Sequence, residues 1–254
     1  MAAVLALDKQ AIQRRFERAA DAYDTFSVVQ RAMAEELVEG VEREPLSILE
    51  LGCGTGYLTA LLRKRYPGAT IEAVDFAPAM IARAREHVSD VRFLVADIEE
   101  LELEPERYDL IVSSATVQWL AEPEQTVGRL AGSLDRRGEL HLTTFGPRTF
   151  WELDEVLGEL GCERGLSLLP AKKWETLLAG AGLHRIRAHS CEERFSYPDC
   201  VAFLRSVKSS GAGYAPCVTA PGTLAEAIRR YDERFYDGAG VTVTYEIVTL
   251  SAGR

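Results

Sequence analysis

The sequence has few of the residues that mark a metal-binding, extracellular or membrane-spanning protein. Its four histidines form no H-E-x-x-H pattern or similar ligand spacing, so no metal site is predicted. No apolar run approaches the ~20 residues of a transmembrane helix, and the N-terminus lacks the basic region and cleavage site of a signal peptide. The cysteines are odd in number and form no C-x-x-C pair, which predicts a reduced, cytoplasmic chain without zinc. They are Cys53, Cys162, Cys191, Cys200 and Cys217.

Positive charge is also scarce. The chain has 29 lysines and arginines against 39 aspartates and glutamates, which gives a net charge of −10. This balance argues against a long nucleic-acid groove, although it leaves room for local basic patches. Neither a nucleic-acid nor a membrane partner is therefore expected. Apolar residues make up 47% and charged residues 27%, as in a soluble globular domain.

Short β-rich runs alternate with helical stretches through the first 145 residues, after a helical N-terminal region at 8–41 that is interrupted at 24–27. Such alternation predicts an α/β fold, in which right-handed crossovers build a doubly wound, mostly parallel sheet. The second half is less regular, with predicted helices at 149–160, 171–181, 199–209 and 223–236 and a predicted mobile loop at 209–221. The predicted strands are 46–51, 70–75, 91–97, 108–114, 138–145, 184–195 and 241–250.

A glycine-rich turn directly follows the first predicted strand. The segment ILELGCGTG places Gly52, Gly54 and Gly56 where backbone N–H groups can approach a ligand closely. Asp75 ends the second strand about 20 residues later, where a carboxylate can accept both hydroxyls of a ribose. Asp97 closes the third strand. Because parallel strands end at the same edge, these acidic groups are expected to share one site.

Glu50 stands just before this turn, and the glycines follow G-x-G-x-G rather than the G-x-G-x-x-G of dinucleotide binders. An anion at this point repels a pyrophosphate but suits a cationic ligand. The set resembles class I S-adenosylmethionine-dependent methyltransferases over about residues 45–145. That resemblance implies a Rossmann-like sheet of seven strands with the last strand antiparallel, S-adenosylmethionine as cofactor and no metal.

The resemblance also implies roles for individual residues. Asp75 would hold the ribose, Asp97 and Ile98 would flank the adenine, and Met80 would pack on its face or simply belong to a helix core. The end of the fourth strand, formed by Ser113, Ser114 and Ala115, would lie beside the methionine moiety. Gln30 would contact the methionine carboxylate, with a solvated helix face as the alternative.

Several segments along the whole chain narrow the resemblance. FERAADAYDTFSVVQ, SSATVQWL, TTFGPRTFWEL, FLRSVKSSGAG and GVTVTYEIV occur in the order found in malonyl-[acyl-carrier protein] O-methyltransferases, the enzymes that open pimelate synthesis for biotin. The chain departs from that pattern at Val207-Lys208 and in 213–221. The resemblance implies a single domain over 1–254. Its parts would be an N-terminal helical cap (1–44), a core (45–195 and 241–254) and a helical lid insertion (196–240).

The implied acceptor is the free carboxylate of a malonyl thioester. A carboxylate is already ionised at pH 7 and needs no general base, so the protein must orient and desolvate it. Arg148 is predicted to bind it bidentately, since a guanidinium matches a carboxylate, with a surface arginine as the alternative. Tyr23, on an N-terminal helix that can fold over the pocket, is a second candidate, with packing of that helix as the alternative. Gln118 and Trp119 follow the fourth strand at the pocket edge, and Trp119 could instead form the wall or pack in the core.

An acyl carrier protein is the implied partner, and it is acidic like this chain. Docking therefore needs a local basic face, for which Arg205 and Lys208 stand three residues apart on the predicted helix 199–209. Lys172 and Lys173 are a weaker option.

Two other functions stay open: a methyltransferase for a free acid such as aconitate or for a quinone precursor, and a non-catalytic cofactor-binding partner protein. The intact acidic strand ends argue against the non-catalytic alternative.

Overall fold

The computed structural model describes residues 7–162, 167–213 and 222–254. The described residues form one seven-stranded sheet with helices on both faces. Residues 214–221, most of the loop predicted at 209–221, lie outside the described residues. The strands are β1 (Ser47–Leu51), β2 (Thr70–Asp75), β3 (Arg92–Val95), β4 (Tyr108–Ser114), β5 (Leu134–Phe145), β6 (His184–Tyr197) and β7 (Val241–Gly253).

The strand order is β3-β2-β1-β4-β5-β7-β6. The first five strands pair in parallel, and β7 runs antiparallel to both β5 and β6. The predicted Rossmann-like, mostly parallel sheet with an antiparallel last strand is thereby confirmed. The order reverses at β1 and β4, and open α/β sheets bind ligands at such a switch point.

Ten α-helices and one short 3-10 helix (Val117–Trp119) are described around this sheet. The α-helices pack on its two faces because buried strands alternate their side chains. Ile48 packs with the helices of one face, and its neighbour Leu49 with those of the other. The helices are α1 (Lys9–Ala19), α2 (Tyr23–Phe26), α3 (Val28–Glu39), α4 (Tyr57–Arg65), α5 (Pro78–His87), α6 (Pro123–Ser133), α7 (Trp151–Glu159), α8 (Ala171–Gly180), α9 (Cys200–Ser209) and α10 (Thr223–Phe235).

Two local predictions need correction. The interruption predicted at 24–27 is largely the short helix α2, and the chain bends on either side of it. The Asp24 carboxylate accepts a 2.5 Å hydrogen bond from the Thr55 hydroxyl, which ties α2 to the glycine turn. Strand β5 begins at Leu134 rather than at residue 138, because Leu134 already pairs with Tyr108 of β4.

Helices α9 and α10 are anchored by aromatic packing. The rings of Phe203 and Tyr231 stack at 5.9 Å, and both side chains are fully buried against β7. The Tyr231 hydroxyl donates a 2.7 Å hydrogen bond to the Thr242 carbonyl. Asp199 caps α9 by accepting from the Ala202 N–H at 2.6 Å. Helices α9 and α10 are therefore packed onto the sheet through the faces that carry these aromatic side chains.

Candidate active site

The glycine turn lies at the carboxyl end of β1 and needs glycine at each of its three positions. Gly52, Gly54 and Gly56 have φ values of +69°, +53° and +89°, which L side chains rarely adopt. A Cβ on Gly52 would also collide with the Thr116 side chain, and one on Gly56 would meet Ala84 at 3.1 Å. The turn therefore exposes bare backbone at the switch point of the sheet.

Glu50 lies beneath this turn with its carboxyl group fully buried. Neither carboxyl oxygen has a hydrogen-bond partner. Burial raises the pKa of Glu50 from 4.5 to about 8. A buried polar group without a partner is costly unless a ligand supplies one, and a cationic group would complete this site.

Asp75 closes β2 beside the turn and is 7% exposed. Its two oxygens accept backbone hydrogen bonds from the N–H groups of Gly54 at 2.9 Å and Ala77 at 2.8 Å. Burial nevertheless raises its pKa to about 6. These bonds fix the carboxylate at the cavity wall, where its remaining acceptor sites can face hydroxyl groups.

Most of the predicted cofactor residues surround two adjoining cavities. The first cavity also includes Lys9, Phe16 and Ser114 in its wall, and the second includes Arg31. Of the predicted residues, the first is lined by Tyr23, Gly52, Gly54, Asp75, Met80, Asp97, Ile98 and Trp119. The second is lined by Tyr23, Gln30, Glu50, Gly52 and Gly54.

Gly56 and Ser113 do not line either cavity. The Ser113 side chain is buried and donates a 2.9 Å hydrogen bond to the Leu51 carbonyl. Its neighbour Ser114 faces both cavities instead, because successive residues of a strand point to opposite sides. Of the strand end predicted to lie beside the methionine moiety, Ser114 and Ala115 therefore line the first cavity, whereas the Ser113 side chain does not.

Lys9 and Arg31 are two cavity residues that sequence reasoning missed. The Lys9 ammonium lies 2.5 Å from Asp97 and also pairs with Glu99, so α1 is fastened across the first cavity. Arg31 lines the second cavity, and its guanidinium lies 5.8 Å from the centre of the Tyr57 ring. Neither residue belongs to a local motif, so no signal in the sequence identified them.

Tyr23 stands where the first two cavities meet. Burial, with the nearby carboxylates of Asp75 and Asp24, raises the pKa of its phenol well above the usual range. The hydroxyl therefore stays protonated at neutral pH and can donate a hydrogen bond to an anion. Phe16 packs beside it, with ring centres 6.5 Å apart.

A third cavity lies beside the other two, between α9 and the β5–β7 side of the sheet. It shares Gln30 with the second cavity and Trp119 with the first. The Gln118 amide in its wall donates to the Ala115 carbonyl at 2.8 Å and accepts from the Thr144 hydroxyl at 2.9 Å. These two bonds fix the orientation of Gln118.

The structure does not bring Arg148 into any of these cavities. Its side chain is 56% exposed and forms an ion pair with Glu192 on β6. The hydrogen bond to Glu192 and the negative charge of that carboxylate raise the pKa of Arg148. The guanidinium also lies 5.5 Å from the Trp151 ring centre. Its predicted role as acceptor anchor stays a prediction, and this placement does not favour it.

Arg205 and Lys208 are exposed on one face of α9, as predicted from their spacing. Within the described ranges no ion pair involves either residue. The same ranges hold no group of three or more side chains suited to bind a metal, and no helix long and apolar enough to cross a membrane.

The fold and the site define a class I S-adenosylmethionine-dependent methyltransferase. Residues 48–138 match the family model described as a methyltransferase domain. A putative methyltransferase from Bacillus halodurans superposes with a TM-score of 0.64 at 15% identity, covering 87% of this chain and 98% of that one. Phosphoethanolamine N-methyltransferase 2 from Haemonchus contortus, solved with S-adenosyl-L-methionine, gives 0.59 at 15% identity, covering 92% and 56%.

Curated relatives narrow the class further. The malonyl-[acyl-carrier protein] O-methyltransferase of Paenibacillus sp. (strain JDR-2) is 40% identical over 96% of this chain and 99% of its own length. The chain therefore belongs to the malonyl-[acyl-carrier protein] O-methyltransferase family.

Proposed function

We propose that this protein transfers the methyl group of S-adenosylmethionine to the free carboxylate of a malonyl group carried as a thioester on an acyl carrier protein. Curated malonyl-[acyl-carrier protein] O-methyltransferases that are 40% and 38% identical over 96% of this chain support the proposal most strongly. The product would be the methyl ester, which primes pimelate synthesis for biotin. The four cysteines within the described residues form no disulfide, which favours the reducing cytoplasm as its location.

The residues present fit the cofactor. The Glu50 carboxylate, which lacks a hydrogen-bond partner, would bind the ammonium group of its methionine part. Gln30 and Arg31, in the same cavity, would bind the carboxylate of that part. Asp75 would hold the ribose hydroxyls, and Asp97 and Ile98 would border the adenine. When bound, S-adenosylmethionine supplies an electrophilic methyl group.

The acceptor needs positioning more than activation. A carboxylate oxygen forms the new bond to the methyl carbon, the carbon–sulfur bond breaks, and its electron pair stays on sulfur. No proton moves, so the site needs no general base, and neutral donors serve to orient the acceptor. Tyr23 and Gln118 are the proposed donors, since both face the cavities and keep their hydrogens at neutral pH. Trp119, shared by two cavities, would form the wall beside them.

A substrate panel tests the proposal. Purified protein is incubated with S-adenosylmethionine and, separately, malonyl-acyl carrier protein, malonyl-coenzyme A, free malonate and aconitate, and the products are identified by mass. We expect methylation of malonyl thioesters well above that of the free acids. Preferential methylation of a free acid, or of none of the four, would overturn the proposal.

A further inference from the structure

The third cavity lies between the cofactor cavities and helix α9. Gln30 and Trp119 border it on the cofactor side. Leu204 and Val207 border it on the α9 side, and Ser210 and Ala212 continue the wall beyond the end of that helix. A ligand in this space therefore touches the reaction centre at one end and the insertion at the other.

The wall of the third cavity suits a chain of methylene and amide groups. Aromatic and aliphatic side chains from β5, α7, α9 and β7 dominate it, and a few polar groups interrupt them. The space measures about 780 Å³ with the solvent at its opening included, which is within the usual range for small-molecule sites. The apolar members are Phe145, Phe150, Leu153, Leu168, Phe203, Leu204, Val207 and Tyr245.

Helix α9 separates this wall from a cationic surface. Leu204 and Val207 face the cavity, while the next residue after each, Arg205 and Lys208, is exposed. An acidic protein bound to the outer face would thus lie one helix away from the cavity. The cationic outer face suits an acidic protein, and the apolar inner cavity suits a largely apolar chain. Together they point to one ligand in which an acidic protein carries such a chain.

We propose that the third cavity binds the thioester and the flexible, amide-bearing arm that links the malonyl group to its carrier. The inference rests on the proposed function and adds the route by which the acceptor reaches the methyl group. The arm passes along Leu204 and Val207, and the carboxylate at its tip reaches Gln118 and Trp119. The carrier itself stays on the Arg205 and Lys208 face.

Two substitutions on one helix test this route. Val207→Trp fills the cavity from α9, whereas Val201→Trp adds the same ring on the same helix at a site that is 41% exposed. With malonyl-pantetheine, which carries the arm without the protein, we expect Val207→Trp to lower kcat/KM about tenfold or more. The Val201→Trp control should stay within about twofold, and both should keep wild-type affinity for S-adenosylmethionine. Wild-type kcat/KM in Val207→Trp would overturn the proposal.

Alkylation provides a second readout that does not require turnover or a bulky substitution. In a Val207→Cys variant, iodoacetamide labelling at position 207 is followed by peptide mass, with the exposed Cys191 on β6 as the internal reference. Malonyl-pantetheine with S-adenosylhomocysteine should slow labelling at 207 about fivefold or more and leave Cys191 unchanged. Equal labelling of 207 with and without the ligand would overturn the proposal. If the wild type methylates no malonyl thioester, the proposed function fails, and this protection measurement still decides whether the cavity takes the arm.

Discussion

The buried carboxyl group of Glu50 allows a sharp test of the cofactor site, because Glu50→Gln keeps its shape and removes its charge. Burial raises the pKa of Glu50 in the folded protein from 4.5 to about 8. Between these two pH values the folded state holds a proton that the unfolded chain has released. The stability of the ligand-free protein therefore falls as pH rises through this window.

The size of the effect follows from the shift. At about 1.4 kcal/mol per pKa unit, the raised pKa of Glu50 lowers the free energy of unfolding of the ligand-free protein by roughly 5 kcal/mol. This loss is complete only above pH 8. We expect Glu50→Gln to unfold at nearly the wild-type urea concentration at pH 5. At pH 8.5 the ligand-free variant should be more stable than wild type by several kcal/mol. Its affinity for S-adenosylmethionine should fall about 100-fold or more, because the ammonium group loses its buried partner.

The assay is urea unfolding at pH 5, 7 and 8.5, with calorimetry of cofactor binding on the same samples. Glu39→Gln, on the exposed end of α3, serves as the control and should show no pH-dependent difference. If the difference in unfolding free energy between Glu50→Gln and wild type is the same at all three pH values, the claim that burial disfavours the ionised form of Glu50 is refuted. Unchanged cofactor affinity would refute its role as the ammonium partner.

Three further predictions concern the ribose, the acceptor and the carrier. Asp75→Ala should lower cofactor affinity about tenfold or more by calorimetry with the fold intact, because it removes charge-assisted hydrogen bonds; unchanged affinity would exclude the ribose role. Arg148→Ala should keep kcat/KM on a malonyl thioester within about threefold, since its side chain lies in an exposed ion pair; a tenfold loss would instead support the anchoring role. Arg205→Glu with Lys208→Glu should raise KM about tenfold for the carrier-bound substrate and little for malonyl-pantetheine; equal loss on both would indicate a role in the fold rather than in docking.

The sheet and its binding edge are predictable from sequence because their signals are local. Strands β1, β2 and β4 are short, largely buried apolar runs, and Glu50, Gly52 and Asp75 are fixed to strand ends by their place in the chain. Such a pattern specifies the edge at which they meet. It does not resolve which side chains of a strand end face the cavity: Ser114 and Ala115 line it, whereas the Ser113 hydroxyl donates to the Leu51 carbonyl.

Contacts between distant segments were not predictable. Lys9 pairs with Asp97 across 88 positions, and nothing near Lys9 in the sequence specifies that pairing. The third cavity likewise assembles side chains as far apart as Gln30 and Tyr245. Arg148 follows β5 as predicted, yet its guanidinium forms an ion pair at the surface with Glu192 of β6, which lies two strands away in the sheet. Position along the chain therefore located the elements, while tertiary packing decided which side chains share a site.

The position of the transferred methyl group tests the central claim most directly. The protein is supplied with malonyl-acyl carrier protein and S-adenosylmethionine carrying a ¹³C-labelled methyl group, and the product is examined by NMR and by mass after release from the carrier. The account predicts one labelled methyl group, bonded to the oxygen of the terminal carboxyl group of the malonyl moiety. Label on a carbon or nitrogen atom, or no label in the product at all, would contradict it.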